Sequence, residues 1–417
     1  MHVYTRSKCW SRTPRLLMAT MSALATRGVS SSTITATAAA RCSSKPRIGV
    51  VGAGISGLLF AERLRELVPD SELTVFEWGR GPGGRTARRR LRLEDSESQL
   101  SFDHAAPYFT AVTPRFREKL SRLQEARLCS PWAAAGQDAW VGVPSNHAIA
   151  RALAADLEAG GARMRFGHHV LSARPVSGGG WTVNSSCRAT GEAVEDVFDA
   201  LVLSDKLLVL PNKYAVLAEA DHGPLALPRD LESTGAVVLL LALRKTPGSE
   251  GAVGGVRRLT AADHEFLRLI VEDSSKPGRV SEHDLYVVHS SHDYSRQHLV
   301  GEALDDEAAV RDEMVAAALA ALGRAGDATQ VAHASVMAWD HAQPKPKSRV
   351  DAPFLIDTER AAGVVGDFFT ATDGREGVLV EGVEAAALSG LSLADAMAPL
   401  FRAEATAATL RAHVTGK

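Results

Sequence analysis

No acidic residue occurs from Met1 to Lys45, and the first in the whole chain is Glu62. Over the same stretch Arg6, Lys8, Arg12, Arg15, Arg27 and Arg41 are spread among Ser, Thr and Ala. A continuous apolar core is missing too, which excludes a secretory signal; a basic, Ser-rich, acid-poor leader is the pattern of an organelle transit peptide. The Ser/Thr/Ala-rich run from Val29 to Ala40 points to the chloroplast, with the mitochondrion as the alternative, so residues 1–45 are expected to lie outside the fold.

Cysteine is also sparse. Cys9, Cys42, Cys129 and Cys187 show no Cys-x-x-Cys spacing, which argues against a disulfide framework and against a zinc site. His168 with His169, and His289 with His292, lack a cluster of further ligands nearby, so no metal is expected. No apolar run is long enough for a transmembrane span, there is no internal repeat, and a formal charge of −2 gives no pull toward nucleic acid or anionic lipid. What remains is a 417-residue chain, 45% hydrophobic, with room for two domains and a small-molecule substrate.

The chain is organised around Arg47 to Leu58, Arg-Ile-Gly-Val-Val-Gly-Ala-Gly-Ile-Ser-Gly-Leu. A short apolar strand runs into Gly-x-Gly-x-x-Gly at Gly52, Gly54 and Gly57, and a helical pattern starts at once. Each glycine has its own chemical role. Gly52 permits the tight turn, Gly54 lets backbone approach a pyrophosphate, and Gly57 lets helix and strand pack while the helix amides face the phosphates. Ala53 and Ser56 complete that loop. Leu73 to Phe76 form a second strand ending in Glu77, about 20 residues beyond Gly57, where a βαβ unit presents a carboxylate to a ribose diol. An acid at this position argues against a 2′-phosphate, favouring FAD or NAD over NADP as the bound nucleotide.

The next segment, Glu77-Trp-Gly-Arg-Gly-Pro-Gly-Gly-Arg-Thr, resembles the double-glycine signature of the flavoproteins that include amine oxidases, phytoene desaturases and renalase. Gly83 and Gly84 bare the backbone beside the diphosphate, Arg80 belongs to the same stretch, and Arg85 carries a forked set of donors that can neutralise a diphosphate. Arg88, Arg89 and Arg90 read as a solvated basic face. Phe102-Asp-His-Ala-Ala-Pro-Tyr-Phe-Thr-Ala111 is similar to a segment of renalase-like FAD/NAD(P)-binding oxidoreductases, including a plant and algal branch usually sent to the chloroplast; Ala105 stands where many relatives have Gly. That resemblance implies that Ala105 and Ala106 pass the flavin ring, that Tyr108 looks into the substrate pocket, that Val170 meets adenine through its backbone, and that Trp339 in Val336-Met-Ala-Trp-Asp-His-Ala-Gln-Pro344 stands near the ring. For Tyr108 and Trp339, packing alone is the competing explanation.

Near the C-terminal end, Gly363 to Gly366 predicts a short strand ending at Asp367, followed by a turn with Gly374 and Gly377 and a helix from about Val380. Gly382, Ala386, Gly390 and Ala394 recur every four residues, giving one helix face almost no side chain, so that the helix can lie tightly on the sheet. The arrangement resembles the closing motif of the same flavoproteins, which implies that Gly366 and Asp367 hold the ribityl or pyrophosphate end and that the helix start, Val380, Gly382 and Val383, faces the flavin. The physical reason is that a helix N-terminus offers free amides and positive potential where reduced flavin carries negative charge.

The expected fold class is α/β: a Rossmann-type FAD-binding domain with a parallel sheet (46–112, 141–205 and 350–417) and an inserted α+β substrate domain on a mostly antiparallel sheet (113–140 and 206–349). In detail, single strands are expected over Met164–Val170 and Val197–Leu203, an apolar strand over Ala236–Leu243, and a helix over Glu307–Leu322. The expected activity is that of an FAD-dependent oxidoreductase, with FAD held noncovalently and NAD(P)(H) a candidate substrate. The donor gives a hydride equivalent to flavin N5, and no residue is named as catalytic. The alternatives are a plastid desaturase or porphyrinogen oxidase acting on an apolar substrate, and a flavin-containing assembly protein without turnover.

Overall fold

The computed structural model describes residues 45–93, 99–245, 254–325, 328–345, 348–370 and 380–415, all within one unit, Cys42–Lys417. Strand β1 (Arg47–Val51) has Ile48 and Val50 wholly buried. A strand covered on both faces has no polar side to keep, so its sequence shows no alternation. It pairs in parallel with β2 (Glu72–Glu77) on one side and with Ala200–Leu203 on the other. The six-stranded sheet runs, by residues, 355–357, 362–364, 200–203, 47–51, 72–77, 163–166, and only its first strand is antiparallel to its neighbour. The fold class read from the sequence is the one found.

Two expected single strands are each divided. Met164–Val170 becomes Arg163–Phe166 at the edge of the parallel sheet and His168–Pro175 in a separate three-stranded antiparallel sheet. Gly167, at φ +72°, makes the break, in a region that side chains with a Cβ rarely enter. Likewise Val197–Leu203 divides between Ala193–Phe198 and Ala200–Leu203. At the corner the Arg47 amide donates to Asp199 Oδ2 (2.8 Å), which anchors the crossing to the start of β1.

Six helices accompany the sheets among the described residues. Helix α1 (Ile55–Leu67) follows the glycine turn, α2 (Pro114–Glu125) starts at a Thr113 cap, and α3 (His147–Ala159) leads into strand Arg163–Phe166. Phe116, Leu120 and Leu123 of α2 are buried in the same apolar cluster as α1 and α6 (Gly382–Thr415), so this part of 113–140 packs with the nucleotide-binding layer and not with the substrate layer expected for it. Trp132, Ala135 and Ala139 do join the substrate layer.

That second layer is a five-stranded antiparallel sheet, in the order 256–258, 267–272, 283–290, 233–244, 331–344. Its central strand, Ser233–Arg244, explains its own apolar run. Val237, Leu239, Leu241 and Leu243 pack under α5 (Glu307–Ala321), while Val238, Leu240 and Ala242 face Phe102, Trp132 and Val141. Successive side chains go to opposite faces and both faces are covered. The short α4 (His292–His298) lies on the same strand's flank. Among the described residues no helix is long and apolar enough to cross a membrane.

Helix α6 closes the structure. Where its small-residue face was expected to lie on the sheet, it meets α1 at Gly390, where an added Cβ would stand 2.2 Å from the Ser56 carbonyl oxygen and 3.2 Å from the Phe60 nitrogen, and it lines the cavity at Gly382 and Ala386. The turn with Gly374 and Gly377 lies outside the described residues.

Candidate functional site

The two glycine-rich segments form one object. Gly52 adopts φ +103°, and a side chain there would reach within 2.2 Å of Ser204 Oγ. That hydroxyl donates to the Val51 carbonyl (2.8 Å), tying the turn to the neighbouring strand. Gly83 donates to the Ala53 carbonyl (2.8 Å), and Gly54 pairs with Gly83 as an isolated bridge. Around Gly54 a Cβ would meet nothing within 4 Å. Helix α1 has no side-chain cap and no acid in its first turn, so its first amides stay available. Open backbone, free amides and no competing carboxylate are the conditions for a bound phosphate.

Glu77 reads both parts of this object. One carboxylate oxygen accepts from the Ala53 amide (3.0 Å) and the other from the Gly79 amide (2.6 Å). Burial pushes its pKa up, and the two amide bonds only partly pull it back. Each oxygen keeps a second lone pair for a hydroxyl.

At the other end Arg85 and Asp367 are joined to each other by a forked pair of bonds (2.6 and 2.7 Å), whereas sequence reasoning assigned each its own part of the ligand. Burial alone would lower the Arg85 pKa, but the Asp367 charge and its hydrogen bonds outweigh that and raise it. Paired this way, Arg85 presents little net charge to the cavity. Arg349, not anticipated from the sequence, donates to the Asp367 carbonyl (2.9 Å) and to Glu381 (3.1 Å).

These walls enclose a cavity of about 970 Å³, at the upper end of the range of about 300–1,000 Å³ for ligand sites. Of the residues chosen from the sequence, Gly52, Gly54, Ser56, Glu77, Gly83, Gly84, Arg85, Ala105, Ala106, Tyr108, Val170, Trp339, Gly366, Asp367, Gly382 and Val383 line it. Four do not. Ala53 is buried and acts through its amide on Glu77; Gly57 lies beneath the turn, where a Cβ would stand 2.2 Å from the Gly52 oxygen; Val380 is buried in the core ahead of α6; and Arg80 is not in the wall.

Beyond the Glu77 end, Trp78 stacks on His169 (4.5 Å between centroids) with Tyr214 tilted beside it (5.3 Å), and all three line the cavity. Sequence reasoning passed over this cluster, although an aromatic directly after the ribose-position acid was a usable signal.

The substrate layer supplies the opposite wall. Asn146 Nδ2 donates to the Ala106 carbonyl (2.7 Å), fixing the path of Ala105 and Ala106. The Tyr108 hydroxyl accepts from Arg258. Trp339 meets the His104 ring edge-on (5.4 Å), and the ring of His289 is bonded to the His104 carbonyl (2.8 Å). Burial pushes both histidines down to about 4. Behind them sits a buried ionic cluster. Asp103 takes Lys276 (3.3 Å) and Arg279, Asp273 takes Lys276, and the Asn146 amide donates to the other Asp103 oxygen (3.1 Å). A further buried acid, Glu384 in the first turn of α6, accepts from the amides of Val112 (3.0 Å) and Thr113 (2.7 Å) and from the Thr113 hydroxyl (2.6 Å).

Residues 50–123 match the family model of an NAD(P)-binding Rossmann-like domain. Among solved structures, the chain is similar to a protein of Exiguobacterium sp. 255-15 proposed to be a protoporphyrinogen oxidase, with 9% identity, a TM-score of 0.59, and coverage of 86% of this chain and 99% of that one. A putrescine oxidase matches at 11% identity and TM-score 0.54 over 85% of this chain and 99% of that one. A flavin-dependent halogenase matches at 15% identity and TM-score 0.50 over 87% and 59%. At such identities the likeness establishes the fold: a Rossmann-type nucleotide-binding layer interleaved with an antiparallel substrate layer.

Proposed function

We propose that this chain is an FAD-dependent oxidoreductase of renalase-like type that takes a hydride equivalent from a small reduced donor, such as an amine or a reduced nicotinamide, to flavin N5. The carrying observation is that the Gly52–Gly57 turn, the Gly83–Gly84 turn and the start of α6 line a single cavity, although they come from opposite ends of the chain. Its chemistry fits FAD. Glu77 can take the ribose hydroxyls with its unused lone pairs, the α1 amides can take the diphosphate, and Gly382 and Val383 at the start of α6 would face the electron-accepting edge. When bound, FAD supplies a two-electron acceptor; the protein's part is to orient the donor and exclude water. Ala105, Ala106 and Trp339 would form the flat wall along which the two are held.

Thr234, His289, Asp340, His341 and Gln343 put polar groups into the cavity wall beside the apolar Leu269, Trp339, Ala342 and Pro344. That favours a small hydrogen-bonding donor over the apolar substrate of a desaturase or porphyrinogen oxidase. We also assign residues 1–45 to a plastid transit sequence. Titrating purified protein with FAD tests the cofactor, and a protein that stays colourless removes the proposal. Anaerobic mixing of the loaded protein with amines and with reduced nicotinamides, following the flavin absorbance, then names the donor. No bleaching by any donor leaves the assembly-protein alternative.

A further inference from the structure

His289 lines the cavity and is 8% exposed. Its Nε2 lies 2.8 Å from the His104 carbonyl, an atom that can only accept, so Nε2 carries the proton and donates. A neutral imidazole has one proton to place; Nδ1 is therefore a bare lone pair. Among the described residues no protein group donates to Nδ1, and it is not among the side-chain atoms sealed away from solvent, so it is the polar atom this ring opens to the cavity. The strand partners of His289 are Val238 and Leu269, both apolar. The charged group acting on it is Lys276, held in turn by Asp103 and Asp273, and His104 is kept neutral by burial as well. Adding a proton to His289 would place a second cation beside Lys276 in a buried wall. The ring is locked as an acceptor.

We infer that His289 is the substrate-orienting residue of this cavity: its Nδ1 accepts a hydrogen bond from an N–H or O–H of the electron donor, and so selects donors that carry one. The inference rests on the flavin-oxidoreductase reading for the identity of the ligand, but the state of the ring does not. With such a low proton affinity His289 does not act as the base. Donors whose only N–H or O–H is alkylated leave Nδ1 facing an apolar group, and one such loss weakens binding by about 10-fold.

Two measurements decide it. In the full chain labelled with 15N-histidine, the His289 ring, assigned through Val238 and Leu269, is expected to show a protonated Nε2 and a bare Nδ1 from pH 5 to 8. A proton on Nδ1, or titration near 6.5, overturns the inference whether or not flavin binds. In FAD-loaded protein, benzamide and N,N-dimethylbenzamide are titrated as probes by the change in flavin absorbance. Wild type should prefer benzamide by about 10-fold, and His289→Phe should bind both alike. Equal affinity in wild type, no benzamide binding, or an unchanged preference in the variant sinks it. Should His289→Phe fail to fold, the ring state and the wild-type probe pair still decide. Failure to take up FAD, with the ring state as described, instead removes the function proposed above.

Discussion

Gly390→Ala in α6 tests whether the site depends on backbone contact between two helices. On a solvated helix this change stabilises by about 1 kcal/mol, because glycine gives up more backbone freedom on folding. Here the added Cβ would stand 2.2 Å from the Ser56 carbonyl oxygen, 3.0 Å from its carbon and 3.2 Å from the Phe60 nitrogen, all backbone atoms of α1 that cannot turn aside. Carbon and carbonyl oxygen rest at about 3.3–3.6 Å, so the helices must part by about 1 Å. Overpacking of this kind costs about 1–3 kcal/mol, which exceeds the propensity gain and reverses the sign. The net loss should be up to about 2 kcal/mol, lowering Tm by as much as a few degrees in a chain of this size. Because Ser56 lies in the first turn of α1 and Gly382 begins α6, and both line the cavity, the same displacement should weaken FAD binding by about 10-fold, the equivalent of about 1.4 kcal/mol. Thermal unfolding and flavin titration read the two effects. A Gly390→Ala protein that melts higher and binds FAD normally would show that the helices are not in backbone contact.

Asp103→Asn leaves Lys276 and Arg279 without half of their compensation in a buried cluster, and removing one partner of such a pair costs about 3–5 kcal/mol; equilibrium denaturation measures it, and a loss under about 1 kcal/mol would mean the cluster is solvated. Glu384→Ala strands the Val112 and Thr113 amides and the Thr113 hydroxyl, so urea unfolding should shift by about 3 kcal/mol, with proteolysis increased around 112–116; protection equal to wild type would refute that anchoring. His104 and His289 ionise at about 4 in the folded chain against about 6.5 unfolded. The unfolded chain therefore takes up protons first, and stability should fall as the pH drops below about 6.5 and level off below about 4. The slope reaches about 1.4 kcal/mol per pH unit for each ring. Glu77 and Asp273, whose pKa values are raised by burial, work in the opposite direction, whereas His147, His169 and His333, all lowered by burial, add to the effect of the two rings. Denaturation midpoints from pH 4.5 to 8 check this, and a flat profile between 5 and 6.5 contradicts the buried, neutral assignment.

The parts of this molecule that can be read in advance are those whose physics is local. A glycine turn between an apolar strand and a helix needs only neighbours in sequence, so spacing alone finds Gly52, Gly54 and Glu77. The alternating burial of Val237 to Leu243 is likewise a property of one strand, although its two-sided cover makes the run look uniform. Misreadings arise where a strand-like pattern continues through a change of direction: nothing in the residues around Gly167 or Asp199 ends a strand outright, and only the pairing shows that each expected strand belongs to two sheets. Charge pairing is illegible for a different reason. Arg85 and Asp367 are 282 positions apart, and Asp103 and Lys276 are 173 apart, so neither residue's neighbourhood contains its partner. A sequence therefore advertises the charges at a site but not which of them cancel, and the cancelling of Arg85 by Asp367 is what leaves the open α1 amides as the proposed phosphate site. The same holds for His289, where one bond to a distant carbonyl decides which ring nitrogen is left without a proton. What a polar group can do in this cavity is set by what it is already bonded to.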